Sequence, residues 1–236
     1  MLVAAAFCPC PPLLVPEVAA GAAPELDALR AACVDAVGVL AAARPDRLIV
    51  LGPADEAGQG PHPQGALGSF RGFGVDLDVP LGAAETVPGR GLPPSLSVGA
   101  WLLSRTDWDD APVEALGVAQ PLPRERCAAT GREIAAAAPR VALLVMGDGS
   151  ACRTVKAPGY FDERAEPFDA TVAHALGAAD LAALTALDEE QATGLQASGR
   201  ACWQVAAGAA EGADLRGRLL REEAPYGVGY FVATWS

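Results

Sequence analysis

Leu2-Val3-Ala4-Ala5-Ala6-Phe7-Cys8-Pro9-Cys10-Pro11-Pro12-Leu13-Leu14-Val15-Pro16-Glu17 is the stretch whose reading decides the fold. A short apolar run from Met1 to Phe7 meets four prolines within eight positions. The run reads as a buried strand, and prolines cannot continue a sheet, so the chain must leave it there. In open α/β sheets, ligands bind just beyond the carboxyl ends of the strands. Two thiols, Cys8 and Cys10, stand where such a site is expected.

The rest of the chain extends this pattern. Pro24 to Arg44 reads as an amphipathic helix, with Leu26, Leu29, Cys33, Ala36, Val37 and Leu40 at helical spacing and Pro45 as its stop. Arg47 to Leu51 is a continuous apolar strand ending at Gly52-Pro53, and strand–helix–strand predicts a parallel βαβ unit. Residues 54–74 form a long Gly/Pro-rich loop of the kind that carries function, holding Asp55, Glu56 and His62. Val75 to Val79 alternates apolar and acidic residues, as an edge strand does, and a polar Gly/Pro-rich stretch follows.

Further on, Leu96 to Leu103 reads as a helix, Val113 to Val118 as a strand and Arg124 to Ala138 as a helix. Val141 to Met146 is a second continuous apolar strand, running into Gly147-Asp148-Gly149-Ser150-Ala151-Cys152. Helices are expected at 168–176, 181–187 and 198–211, and a last strand at 226–233. Neither an internal repeat nor a domain linker is visible. The expectation is one α/β domain over 1–236, with a central mostly parallel or mixed sheet flanked by helices on both faces.

Charge limits the partners. The 236 residues carry a net charge of −12, 19% charged and 51% hydrophobic residues, and a pI near 4.5. A chain this acidic has no basic stripe for nucleic acid and is repelled by anionic membranes. No apolar stretch reaches the roughly 18–20 residues of a membrane span. The N-terminus lacks the basic start of a secretory signal, so a cytoplasmic protein is expected. Six cysteines form no CxxC pair and read as reduced thiols, with Cys33, Cys127 and Cys202 inside helical patterns as small buried hydrophobes.

The motif search excludes more than it supports. Gly58-x-Gly60 and Gly147-x-Gly149 lack the third glycine and the lysine that phosphate loops need. Ser150 follows a strand, but Asp148 and Cys152 occupy the glycine positions of a nucleophile elbow. His174 lies mid-helix and His62 in the long loop. Three strand ends bring thiols and carboxylates toward one face: Cys8 and Cys10, then Asp55 and Glu56, then Asp148 and Cys152, with Glu222-Glu223 before the last strand. With His62 they form a donor set suited to zinc or iron, or else they are solvated loop carboxylates and unligated thiols.

At this point the residues resemble a family. Pro9 to Glu17 is similar to the opening of the class III extradiol ring-cleavage dioxygenases of the catalytic B-subunit type and their Memo-like relatives. Strand 48–51 with Gly52-Pro53, Gly68-Ser69-Phe70-x-x-Phe73-Gly74, Gly147 to Arg153 (the family's GDLSHR region), Ala157-Pro158-Gly159-Tyr160, Phe168-Asp169 and Ala224 to Tyr230 also fit, in order along nearly the whole chain. The resemblance implies the family's fold, self-association or a companion subunit, and a non-haem iron(II) held by two histidines and a carboxylate. Here Cys10 stands where the first ligand histidine is expected, Ala54 or Asp55 where the second is, and Ala151 where the acid/base histidine is. The carboxylate falls on Glu222 or Glu223.

Three functional readings follow. The first is a divergent member that binds a small molecule or partner in the pocket, with no cofactor and without catechol cleavage. The second is a metal-dependent enzyme, with Fe(II) or Zn in a rebuilt site drawn from Cys10, Asp55, Glu56, His62, Asp148, Cys152 and Glu222. Cys8, Ser150 and Tyr226 lie close to those positions in sequence. The third is a subunit that serves assembly.

Overall fold

Residues 1–83 and 85–236 are described by the computed structural model. Four parallel strands make its centre: β1 (Leu2–Cys8), β2 (Arg47–Ala54), β6 (Val113–Ala119) and β7 (Val141–Met146). Three antiparallel strands complete the sheet: β3 (Gly60–His62) at one edge, and β9 (Tyr230–Trp235) and β8 (Gly217–Glu223) at the other. The order is β3-β6-β2-β7-β1-β9-β8. A separate two-stranded ladder joins β4 (Leu67–Ser69) to β5 (Asp78–Pro80).

Among the described residues eight α-helices accompany the strands: α1 (Pro16–Ala19), α2 (Asp27–Ala42), α3 (Pro94–Arg105), α4 (Arg124–Ala136), α5 (Ala165–Ala178), α6 (Leu181–Thr185), α7 (Glu189–Gly194) and α8 (Arg200–Ala209). They split between the two faces of the sheet. On one face Leu29, Cys33, Val37 and Leu40 of α2 and Leu96, Trp101 and Leu102 of α3 pack on Ala4, Ala6, Val50, Leu144 and Val232. On the other, Phe168 and Val172 of α5 and Cys202, Trp203 and Val205 of α8 pack on Ala5, Phe7, Leu51, Val145 and Phe231. A register slip between Leu2 and Ala4 puts Leu2, Ala5 and Phe7 on the same face.

The prolines act locally as their chemistry requires. After β1, Pro12–Leu14 tightens into a 3-10 turn, and Pro16 opens α1 at a position where a missing N–H costs nothing. Pro53 lies within β2, which runs to Ala54, one residue past the stop expected at Gly52-Pro53. Beyond Leu51 the strand pairs only with β6, so the absent donor faces no ladder.

The structure corrects several sequence expectations. The strand read at Val75–Val79 is only Asp78–Pro80 and lies outside the main sheet. The loop at 54–74 contains β3 and β4. The polar stretch after Val79 includes Ala84, which lies outside the described residues. Residues 226–229 form a turn, and the last strand begins at Tyr230. Strand β8 and helix α7 had no distinct signal: β8 is polar and half-buried at an edge, and α7 is six residues long.

Helices α4 and α8 cross closely enough to demand glycine. A Cβ added at Gly131 would stand 2.1 Å from the Val205 carbonyl oxygen and 2.5 Å from the Ala209 nitrogen, and one at Gly208 would stand 2.6 Å from Ala128. Both obstacles are backbone and cannot swing aside. Gly131→Ala is therefore expected to lower unfolding stability by about 3 kcal/mol in a denaturant titration, despite alanine's better helix propensity. An unchanged midpoint would show that the crossing relaxes freely.

Candidate functional site

The carboxyl ends of β1 and β7 are adjacent and clipped together. Gly147 N–H donates to the Cys8 carbonyl at 3.0 Å, and Cys10 N–H donates to Asp148 Oδ1 at 2.8 Å. Asp148 N–H donates to Ser198 Oγ at 3.2 Å, while its carbonyl accepts from Gly199 N–H at 2.9 Å. A Cβ on Gly147 would stand 2.5 Å from the Gly199 Cα, so only glycine lets the strand end touch the start of α8. Cys10, Asp148 and Ser198 thus form one contiguous group.

Its electrostatics follow from burial. The Cys10 thiol lies against the Asp148 carboxylate and the Ser198 hydroxyl; burial first, then the Asp148 charge, push it well above the usual thiol range. It stays protonated at neutral pH. Desolvation pushes the half-buried Asp148 carboxyl up to about 6, against the opposing pull of the Cys10 N–H. Tyr230, 2% exposed, is raised by burial and then by Asp148 and Cys10. Glu223 pairs with Tyr230 across β8–β9 and has one buried oxygen, Oε1, without a hydrogen-bond partner among the described residues.

The other predicted residues disperse. Cys8 points to the α2 face, where its thiol meets Cys33. Asp55 and Glu56 are exposed, and Asp55 Oδ1 accepts from Gly58 N–H at 2.9 Å as the cap of a 3-10 turn. His62 sits on β3, four strands from β1, a span of about 19 Å at ordinary strand spacing. Its Nε2 lies 2.9 Å from the Gly58 carbonyl and 3.3 Å from Arg90. Cys152 is buried against Phe168 and Leu195, on the opposite face of the sheet from Cys10, with its Sγ 3.5 Å from the carbonyls of Gly159 and Leu195.

Ser150 is fully buried, and its hydroxyl and N–H both donate to Asp169 at 2.8 Å. Arg153 completes that cluster at 3.2 Å, which anchors the loop after β7. Ala151 is buried and offers no donor. Glu222 pairs with Phe231 and points away from Tyr230, so Glu223 is the carboxylate on the side of Cys10. Tyr226 OH donates to Glu25 Oε2 at 3.0 Å.

The rebuilt metal site expected from Cys10, Asp55, Glu56, His62, Asp148, Cys152 and Glu222 is not assembled. Among the described residues no three His, Cys, Asp or Glu side chains gather where they could hold one metal ion. The resembled family's iron does not fit here: its two imidazole positions carry a protonated buried thiol and either an alanine methyl (Ala54) or an exposed turn cap (Asp55). Sequence reasoning missed Ser198 and Tyr230, and it named Glu222 or Glu223 without distinguishing them. Ser198 reads as the first residue of a helix, and Tyr230 and Glu223 read as strand or loop positions whose facing only the register determines.

No family model and no curated protein matches the chain. Eighteen chains among solved structures match. One, an uncharacterised protein from Escherichia coli K12, covers 99% of this chain and 99% of its own, with a TM-score of 0.52 and 13% sequence identity. That likeness shows the α/β fold end to end.

The raised Asp148 carboxyl has a consequence for stability. Its folded value of about 6 exceeds the ordinary 3.8, so its stabilising contribution is complete below about 3.8 and is lost as pH rises through about 6. Asp148→Asn keeps an oxygen to accept from Cys10 N–H and removes the buried charge. The variant is expected to be more stable than the wild type at pH 7.5 by about 1–2 kcal/mol, discounted from about 3 for the group's partial exposure, with the difference closing near pH 4. Thermal melts across that range would check it; a pH-independent difference would contradict the burial argument.

Proposed function

We propose that this chain is a divergent relative of the class III extradiol dioxygenases that binds a small molecule at the joined ends of β1 and β7 without iron-dependent ring cleavage. The observation that carries this reading is the chemistry at the family's imidazole positions. Cys10 is a buried thiol held in its protonated form beside Asp148. The second position carries either Ala54, which has no lone pair, or Asp55, an exposed cap bound to Gly58 N–H, and Ala151 has none to offer. A non-haem iron needs neutral imidazoles and carboxylates facing one open coordination sphere, and these side chains do not supply one.

Polar groups remain at the strand ends to recognise a ligand. Asp148 accepts or donates according to pH, Ser198 offers a hydroxyl, and Tyr230 a phenol that stays protonated. None of the three is committed to a metal, so the chemistry they offer is hydrogen bonding and orientation.

The test is metal content and oxygen uptake on protein purified anaerobically and offered iron(II). The expected result is well under one iron per chain by elemental mass spectrometry and no oxygen consumption with protocatechuate or catechol. Near-stoichiometric iron together with oxygen uptake that disappears in Cys10→Ala would overturn the reading and restore a metal-dependent enzyme. A folded protein that instead co-purifies with a second chain in fixed ratio would favour the companion-subunit role.

A further inference from the structure

The segment leaving β1 roofs a cavity that the site above does not use. About 350 Å³ lies open between Pro16 and Glu17 of α1, Arg30 and Val34 of α2, and Trp101 and Arg105 of α3. Arg30 with Val34, and Trp101 with Arg105, are each four apart on their helix, so each helix turns one apolar and one guanidinium side chain to the same space. The volume falls in the range of small-molecule sites.

The two cations differ in how they are held. Arg30 donates from Nη1 to the Leu14 carbonyl at 3.3 Å and from Nη2 to the Ala23 carbonyl and the Asp27 carboxylate. Those three bonds fix the guanidinium and leave two of its five N–H groups uncommitted. Asp27 is 73% exposed, so its pairing with Arg30 is screened by water. Arg105 is exposed and has no ion-pair partner among the described residues. Against these two cations the lining has one carboxylate, Glu17, in a chain whose net charge is −12.

The rest of the lining is apolar: Pro16, Ala31, Val34, Trp101 and Leu102. Val34 is 39% exposed, and Trp101 presents the edge left by its 7% exposure. An indole and an isopropyl group beside two guanidiniums match a ligand with a short apolar body and one planar anionic head. A second anionic group would meet Glu17, and a cationic head would meet both arginines.

We propose that this groove binds a small organic monocarboxylate, its carboxylate between Arg30 and Arg105 and its apolar body on Trp101 and Val34. The site is separate from the Cys10–Asp148 group, and the proposal does not depend on that group's role.

Octanoate is the probe, followed by calorimetry and by tryptophan fluorescence, with octylamine as the control of equal length and opposite charge. Octanoate is expected to bind with a Kd of about 1 mM or tighter, as suits about ten heavy atoms, and octylamine to bind at least about tenfold more weakly. Arg105→Glu should weaken octanoate at least about tenfold with an unchanged circular dichroism spectrum, Arg105→Lys should retain most of the affinity, and Trp101→Phe should reduce the fluorescence change while calorimetric heat persists. No octanoate binding up to about 10 mM, equal binding of octylamine, or unchanged affinity in Arg105→Glu would each overturn the proposal.

Discussion

Two hydrogen bonds between the ends of β1 and β7 hold the centre of this protein together: Gly147 N–H to the Cys8 carbonyl and Cys10 N–H to Asp148. Both strands stop there for local reasons, prolines after β1 and glycines after β7, yet their backbone groups still need partners. The Asp148 carboxylate supplies one, and the cost is a charge held in a poor solvent. Once the ends are clipped, the proline segment is directed over α2 and the glycine segment toward α8. From this junction the chain passes to both faces of the sheet, where apolar packing holds the helices.

The same junction explains why the chemistry expected from sequence did not assemble. A thiol buried beside a carboxylate stays protonated, and the backbone N–H beside it is already committed. The remaining candidate donors were drawn to other tasks: Asp55 caps a turn, His62 satisfies a loop carbonyl at a distant edge, Cys152 is buried on the reverse face, and Ser150 is bound to Asp169. Each residue is accounted for by local hydrogen bonding or packing where it stands. Proximity in a linear reading of strand ends was not proximity in space, because strand order separates β1 from β3 by three intervening strands.

Much of the architecture was nevertheless legible. The runs 48–51 and 141–146 are apolar on every residue, and such runs have few solutions other than strands buried on both faces. Helix α2 declared itself by apolar spacing and a proline stop, and α4 by the proline that closes it, Pro139. The misses share a physical cause: β8, β5 and α7 are short or half-exposed, so their conformation is set by what they lie against rather than by their own pattern. For the site, the decisive fact was facing. Glu223 and Glu222 are equivalent as letters, and only the pairing with Tyr230 and Phe231 distinguishes them.

The alanines of β1 acquire a different meaning once the layers are seen. Ala4, Ala5 and Ala6 are fully buried at the middle of the sheet, where methyl groups alone separate the strand from the layers on both sides. These three positions are therefore not free to change size one at a time. A larger side chain in β1 would require a smaller one in the layer above or below it, as Gly131 and Gly208 already require of each other's helix. The interior therefore behaves as a matched set, and redesign or drift in this protein is expected to proceed by compensated pairs of residues and not one position at a time.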